Sequence, residues 1–297
     1  MKTIIGFLTV TAIVFSCTTF QPNIDGKKLI TSPSSSPGKV IKIVGIKSQF
    51  LELPRNLYVY LPHGYDEENS NYPVIYIQDG NNLFSKSASS GHNWKLDLIL
   101  NNLIESKIIP KVIVIGIGNT ANRSSEYEPY VITAPKSVEN LYPIADKYLK
   151  FVCDELIPYV ESNFRVIQEP KSRTIGGSSY GGTFSLYAAI KRPEMFGTIL
   201  ALSPSLWPGI KDKPGDEKIL QDFENAELNK KQNIYFDLGA KEGPSGYIED
   251  VSKRLITILE KSLPKNQIKF VFDPNGEHGE EAWTQRIPDA LSWIFSR

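Results

Sequence analysis

The chain has 297 residues with 33 basic and 33 acidic side chains, so its formal net charge is zero, and 41% of it is hydrophobic. That composition excludes a disordered, collagenous, coiled-coil or disulfide-scaffold protein, and the length is ample for a sizeable core. No basic stripe offers a footprint for nucleic acid. The three histidines and two cysteines fall at neither C-x-x-C nor H-E-x-x-H spacing, so a structural or hydrolytic zinc is not expected; no cofactor is expected either.

Met1-Lys2 gives a positive start, and Ile4 to Phe15 follows as an apolar run of twelve residues. The run is too short for the roughly 30 Å of a bilayer core, but it suits a secretory signal. Its ending, Val14-Phe15-Ser16-Cys17, resembles a bacterial lipoprotein signal. The resemblance implies removal of residues 1–16 and lipidation of Cys17, with the protein held at a membrane and facing the periplasm or cell exterior. Residues 17–38 are polar and rich in turn formers, as in Thr31-Ser32-Pro33-Ser34-Ser35-Ser36-Pro37-Gly38, and read as a flexible tether. Residues 39–297 read as one folded domain. Cys153 is left without a disulfide partner and reads as a core thiol on an apolar helix.

Val40-Ile41-Lys42-Ile43-Val44 and Leu57-Tyr58-Val59-Tyr60-Leu61 have strand patterning and, with no helix between them, predict an antiparallel hairpin at one sheet edge. Val74 to Ile77 and Val112 to Ile115 are continuous apolar runs, and similar runs recur at Thr198 to Leu202, Ile234 to Leu238 and Ile268 to Phe272. Such runs suit parallel strands buried on both faces, and a short strand at Thr174-Ile175 completes the set. Trp94 to Ile104, Val138 to Val160, Thr183 to Ile190, Tyr247 to Leu263 and Glu281 to Phe295 carry apolar residues at helical spacing. Alternating strands and helices predict an α/β fold: a mainly parallel sheet of about eight strands with helices on both faces.

The most informative stretch is Gly177-Ser178-Ser179-Tyr180-Gly181, a G-x-S-x-G pattern between an apolar strand and a helix. A nucleophile elbow needs that setting, because the serine sits in a tight strand-to-helix turn where flanking Cβ atoms would clash. The backbone N–H of Tyr180, at the helix start, is placed to receive an oxyanion. A serine needs a base. His278, in the turn Asn275-Gly276-Glu277-His278-Gly279 after the last strand, follows the serine as hydrolases of this kind require; His92 is in the wrong order, and His63 reads as a solvated loop residue. For the acid that orients the histidine, Glu242 in the Gly-bounded turn Gly239-Ala240-Lys241-Glu242-Gly243 is favoured over Asp237 within the strand and Asp250 on the next helix. Asn81, after Gln78-Asp79-Gly80, is the choice for a second oxyanion N–H, against the alternative of an ordinary Asp-Gly turn.

With these pieces in order, residues 40–297 resemble the esterase D-like branch of the α/β-hydrolases, which includes enterochelin-type, feruloyl and acetylxylan esterases, S-formylglutathione hydrolase and the mycolyltransferases. The matching motifs are Tyr76 to Phe84, Arg123-Ser124-Ser125-Glu126-Tyr127-Glu128-Pro129, the elbow, Ser203-Pro204-Ser205-Leu206-Trp207, the turn Gly239 to Gly243, and His278 with Trp283. The resemblance implies an α/β-hydrolase fold and ester hydrolysis by Ser179, His278 and Glu242, with the Asn81 and Tyr180 amides on the oxyanion. Arg123, Glu126, Trp94 and Trp207 are candidates for the pocket wall, each with the alternative of a structural ion pair or a packed aromatic. The expected activity is a serine esterase forming an acyl-enzyme on a small-molecule or glycan ester. An acyltransferase onto a sugar or lipid alcohol, and a lipid-anchored binding protein without catalysis, are the other readings.

Overall fold

The computed structural model describes residues 27–30, 38–85, 93–131, 142–207, 217–244 and 246–296, the first four through their backbone. Nine strands build one sheet: β1 (Lys27–Ile30), β2 (Lys39–Ile46), β3 (Arg55–Leu61), β4 (Val74–Ile77), β5 (Ile113–Ile117), β6 (Arg173–Ser178), β7 (Thr198–Leu202), β8 (Asn233–Gly239) and β9 (Ile268–Asp273). Their spatial order is β1-β2-β3-β5-β4-β6-β7-β8-β9. Pairs β1–β2, β2–β3 and β3–β5 are antiparallel, and the rest of the sheet is parallel. Every residue of β4, β5, β6 and β7 is buried, as the continuous apolar runs require of strands covered on both faces. The antiparallel hairpin stands where it was expected. Lys27–Ile30, inside the stretch read as a tether, is instead the outermost strand, and four residues are too few for an alternating pattern to mark it.

The helices are α1 (Leu96–Glu105), α2 (Arg123–Tyr127), α3 (Ala145–Lys150), α4 (Ile157–Asn163), α5 (Tyr180–Lys191), α6 (Lys218–Asn225), α7 (Tyr247–Ser262) and α8 (Glu280–Phe295). Alternate strand side chains feed two cores. Ile75, Ile77, Val114 and Leu200 pack with Leu96 and Leu100 of α1 and Ile287 and Leu291 of α8. Tyr76, Ile115, Ile175 and Ile199 pack on the opposite face with Tyr148 of α3, Phe184 of α5, Phe223 of α6 and Leu255 of α7. Helix α5 starts three residues before its expected Thr183, because Gly181 and Gly182 hide the first turn from a hydrophobic count.

The helix expected over Val138 to Val160 is seen from Ala145, since residues 132–141 lie outside the described ones. Between α3 and α4 it widens into a π turn over Phe151–Leu156. Pro158 at the start of α4 explains the widening, because it has no N–H to offer the preceding turn. Cys153 lies in this turn and is buried, and burial pushes its thiol up to about 12. Alkylation with iodoacetamide at pH 8 and peptide mapping are expected to leave Cys153 unmodified in the native protein and modified in urea. Native-state labelling would contradict a core thiol.

Candidate functional site

Ser179 joins β6 to α5 with φ 56° and ψ −128°, a backbone conformation that L-residues rarely adopt. The turn is held by Ser179 N–H donating to Leu202 O (3.0 Å) and Thr183 N–H donating to Ser179 O (3.0 Å). The flanking glycines are a steric necessity: a Cβ on Gly177 would lie 2.8 Å from the Gly181 backbone, and one on Gly181 would lie 2.9 Å from Gln78 Cβ. The same crowding brings the end of β4 against the first turn of α5.

His278 stands in the turn between β9 and α8. Its Nε2 is 2.9 Å from Ser179 Oγ, and its Nδ1 is 3.2 Å from Glu242 Oε2. The ring meets Trp283 edge-on at 5.3 Å. Three side chains separated by up to 99 positions in sequence thus form one chain of hydrogen bonds. The turn bearing Glu242 is braced on the turn bearing His278: Ala240 N–H donates to Asp273 O (2.9 Å), and Lys241 N–H to Gly276 O (3.1 Å). Gly239 permits this approach, since a Cβ there would lie 2.4 Å from Gly276 O.

The Glu242 side chain is only 2% exposed, against 40% for His278. Burial alone would raise its pKa. Hydrogen bonds from His278, Ser203 Oγ (2.7 Å) and Gly239 N–H (2.7 Å), with the Arg286 charge 3.4 Å away, outweigh burial and hold the carboxyl below its ordinary value. It is the carboxylate bonded to His278. Asp237 is instead fully buried on β8, where it accepts from Ser203 N–H at 2.9 Å and faces Arg286 at 3.4 Å. Asp250 is paired with Arg254 on the surface of α7. His63 is exposed on its loop, and His92 lies outside the described residues.

The other candidates separate into two groups. Asn81 lies in a short 3-10 turn (Gly80–Asn82) after Asp79, and its side-chain oxygen accepts from Asn119 N–H at 3.0 Å. Arg123 holds Asp79 through two bonds of 2.7 and 2.8 Å and stacks over the Tyr180 ring, with 5.9 Å to the centroid. Tyr180 in turn faces Trp207, which is 45% exposed. Arg123, Tyr180 and Trp207 therefore stand in a row beside Ser179. Glu126 and Trp94 do not line an open wall. Glu126 is buried in a bidentate pair with Arg55 (2.9 and 3.1 Å), because a buried guanidinium needs a counter-charge. Trp94 is packed against Trp283 at 6.0 Å, behind the histidine.

Next to His278 and Glu242 opens a mainly apolar cavity of about 330 Å³, lined by Leu206, Trp207, Leu238, Tyr247, Ile248 and Val251 among others. Ser205, also on its wall, has its Oγ 3.5 Å from Ser179 Oγ. The residues that sequence reasoning left without a role are Ser203 and Arg286, both bonded to Glu242. The motif Ser203-Pro204-Ser205 was the one signal for the first; Arg286 reads as an ordinary polar position on a helix.

A family model described as "Putative esterase" matches residues 48–294. YbbA of Bacillus subtilis is 25% identical over 252 residues, covering 82% of this chain and 93% of its own. An endo-1,4-beta-xylanase/feruloyl esterase of Xylanibacter ruminicola is 28% identical over 199 residues, 65% of this chain and 24% of that protein. A solved IroE-like serine hydrolase from Shewanella oneidensis has the same fold, with a TM-score of 0.67 at 23% identity over 87% of this chain and 79% of that one.

Burial pushes Asp237 up to about 7 against the pull of Arg286. Its folded value exceeds the unfolded value of about 3.9, so its contribution to stability is present below about pH 4 and lost as pH rises through about 7. Asp237→Asn is expected to match the wild type at pH 4 and to exceed it at pH 8 by at most about 4 kcal/mol in urea unfolding. Parallel stability curves for the two proteins would contradict this.

Proposed function

The chain belongs to the Putative esterase family, and we propose that it hydrolyses carboxylic esters with Ser179 as nucleophile, His278 as general base and Glu242 as the acid that orients the imidazole. One observation carries the reading: the continuous chain from Ser179 Oγ to His278 Nε2 and from His278 Nδ1 to Glu242 Oε2. A carboxylate accepts only, so Nδ1 is the protonated nitrogen and Nε2 presents a lone pair to the serine hydroxyl. As Ser179 Oγ attacks the ester carbonyl, His278 takes its proton, and the imidazolium is stabilised by Glu242. The negative charge arising on the carbonyl oxygen meets the N–H groups of Tyr180 and Asn81. The first of these heads α5, where an N–H has no acceptor within the helix.

Collapse of the tetrahedral intermediate breaks the bond to the alcohol oxygen, which leaves with the proton from His278. An acyl group remains on Ser179. Water then gives its proton to His278 and attacks the same carbonyl, and the acid is released as Ser179 regains its proton. The apolar cavity beside Ser205 and His278 favours an ester with a hydrophobic or aryl group on one side of the scissile bond. A feruloyl-type ester, a siderophore ester and a glycan ester all present such a group or a small acyl. Attachment to a membrane through a lipid on Cys17, facing the periplasm or cell exterior, belongs to the same reading and is supported by the Ile4-to-Phe15 run and its Ser16-Cys17 ending.

Hydrolysis of a short-chain p-nitrophenyl ester and of methyl ferulate is expected from the wild type. Ser179→Ala should lower kcat by at least about a thousandfold without unfolding the protein. Turnover retained by the folded variant would remove Ser179 from the mechanism.

A further inference from the structure

We propose that Ser203 is a positioning residue of this site, and that its buried hydroxyl sets the Glu242 carboxylate and, through it, the tautomer and aim of His278. The proposal rests on the esterase reading above. Ser203 directly follows β7, the neighbour of the strand that leads into Ser179, and is fully buried. Its hydroxyl has one proton and two lone pairs. Trp283 Nε1–H donates to it at 2.8 Å and Arg286 Nη2–H at 2.7 Å, and neither group can accept. Both lone pairs are therefore taken, and the single proton is left for Glu242 Oε1 at 2.7 Å. The direction of this bond follows from valence.

The consequence runs outward to the histidine. Glu242 Oε1 receives Ser203 Oγ–H, Gly239 N–H and the edge of Arg286, so Oε2 faces His278 Nδ1. With that oxygen held in place, Nδ1–H has a fixed acceptor and Nε2 a fixed direction toward Ser179. The Ser203 backbone is tied as well, its N–H lying 2.9 Å from Asp237 Oδ1 and 3.1 Å from Asp237 O.

Backbone conformation supports the same conclusion. Ser203 has φ 41°, in the left-handed region that is unfavourable for an L-residue and costs a glycine almost nothing. Conformation alone would place glycine here. The hydroxyl is what a serine adds.

Ser203→Gly removes the hydroxyl and relieves the backbone, and Ser203→Ala removes the hydroxyl alone; each is made in the wild type and in Glu242→Ala. Both are expected to lower kcat about tenfold to a hundredfold in the wild type with KM within about twofold, the size of loss that removing an outer partner causes at metal sites. In the Glu242→Ala background the same substitutions should cost less than about threefold, because the hydroxyl then has nothing to hold. Equal losses in both backgrounds, or undiminished kcat in Ser203→Gly, would overturn the positioning role while leaving the esterase reading intact. Wild-type turnover that survives Ser179→Ala would overturn both.

Discussion

A carboxylate that is almost wholly out of water must have its lone pairs engaged, or its desolvation would neutralise it. Glu242 meets that requirement with donors from four parts of the chain: Gly239 on β8, Ser203 at the end of β7, Arg286 on α8 and His278 after β9. The order β6-β7-β8-β9 in the sheet makes this convergence possible, since each donor reaches the site from a neighbouring strand end or from the helix that follows. The carboxylate bonded to His278 is thus held by the same contacts that join the last third of the domain.

The carboxyl end of the sheet also collects backbone strain. Asp79, Ser179 and Ser203 follow β4, β6 and β7, three adjacent strands, and have φ of 58°, 56° and 41°. Each is held by bonds outside its own turn. Asp79 is gripped by Arg123 and Asn119, Ser179 by Leu202 O and His278, and Ser203 by Asp237, Trp283 and Arg286. Such conformations persist only where the surroundings over-determine them, and they gather where side chains must be presented in a fixed direction. The central strands β4 to β7, buried along their whole length, supply the rigidity.

Much of this was legible in the sequence because the relevant signals are local. Continuous apolar runs mark strands buried on two faces, and Gly177 to Gly181 marks the elbow through the absence of Cβ atoms. Glu242 and His278 each stand in a glycine-bounded turn after a strand, which places them at one sheet edge. What was not legible depends on partners far apart in the chain. Glu126 is committed to Arg55, 71 positions away, and Ser203 to Glu242 and Arg286, 39 and 83 positions away. No spacing rule reports a bond of that kind, nor the positive φ of a residue other than glycine. Trp94 and Trp207 are alike in sequence; burial against Trp283 separates the first from the site, and exposure beside Tyr180 keeps the second there.

In the proposed mechanism His278, held by Glu242, makes Ser179 nucleophilic. Treatment of the native protein with a fluorophosphonate, followed by peptide mass mapping, tests it without knowledge of the natural substrate. A single adduct on Ser179 is expected, with labelling slowed at least about a hundredfold in His278→Ala. An unlabelled Ser179 in folded protein, or labelling equally fast without His278, would contradict activation of the serine by the histidine.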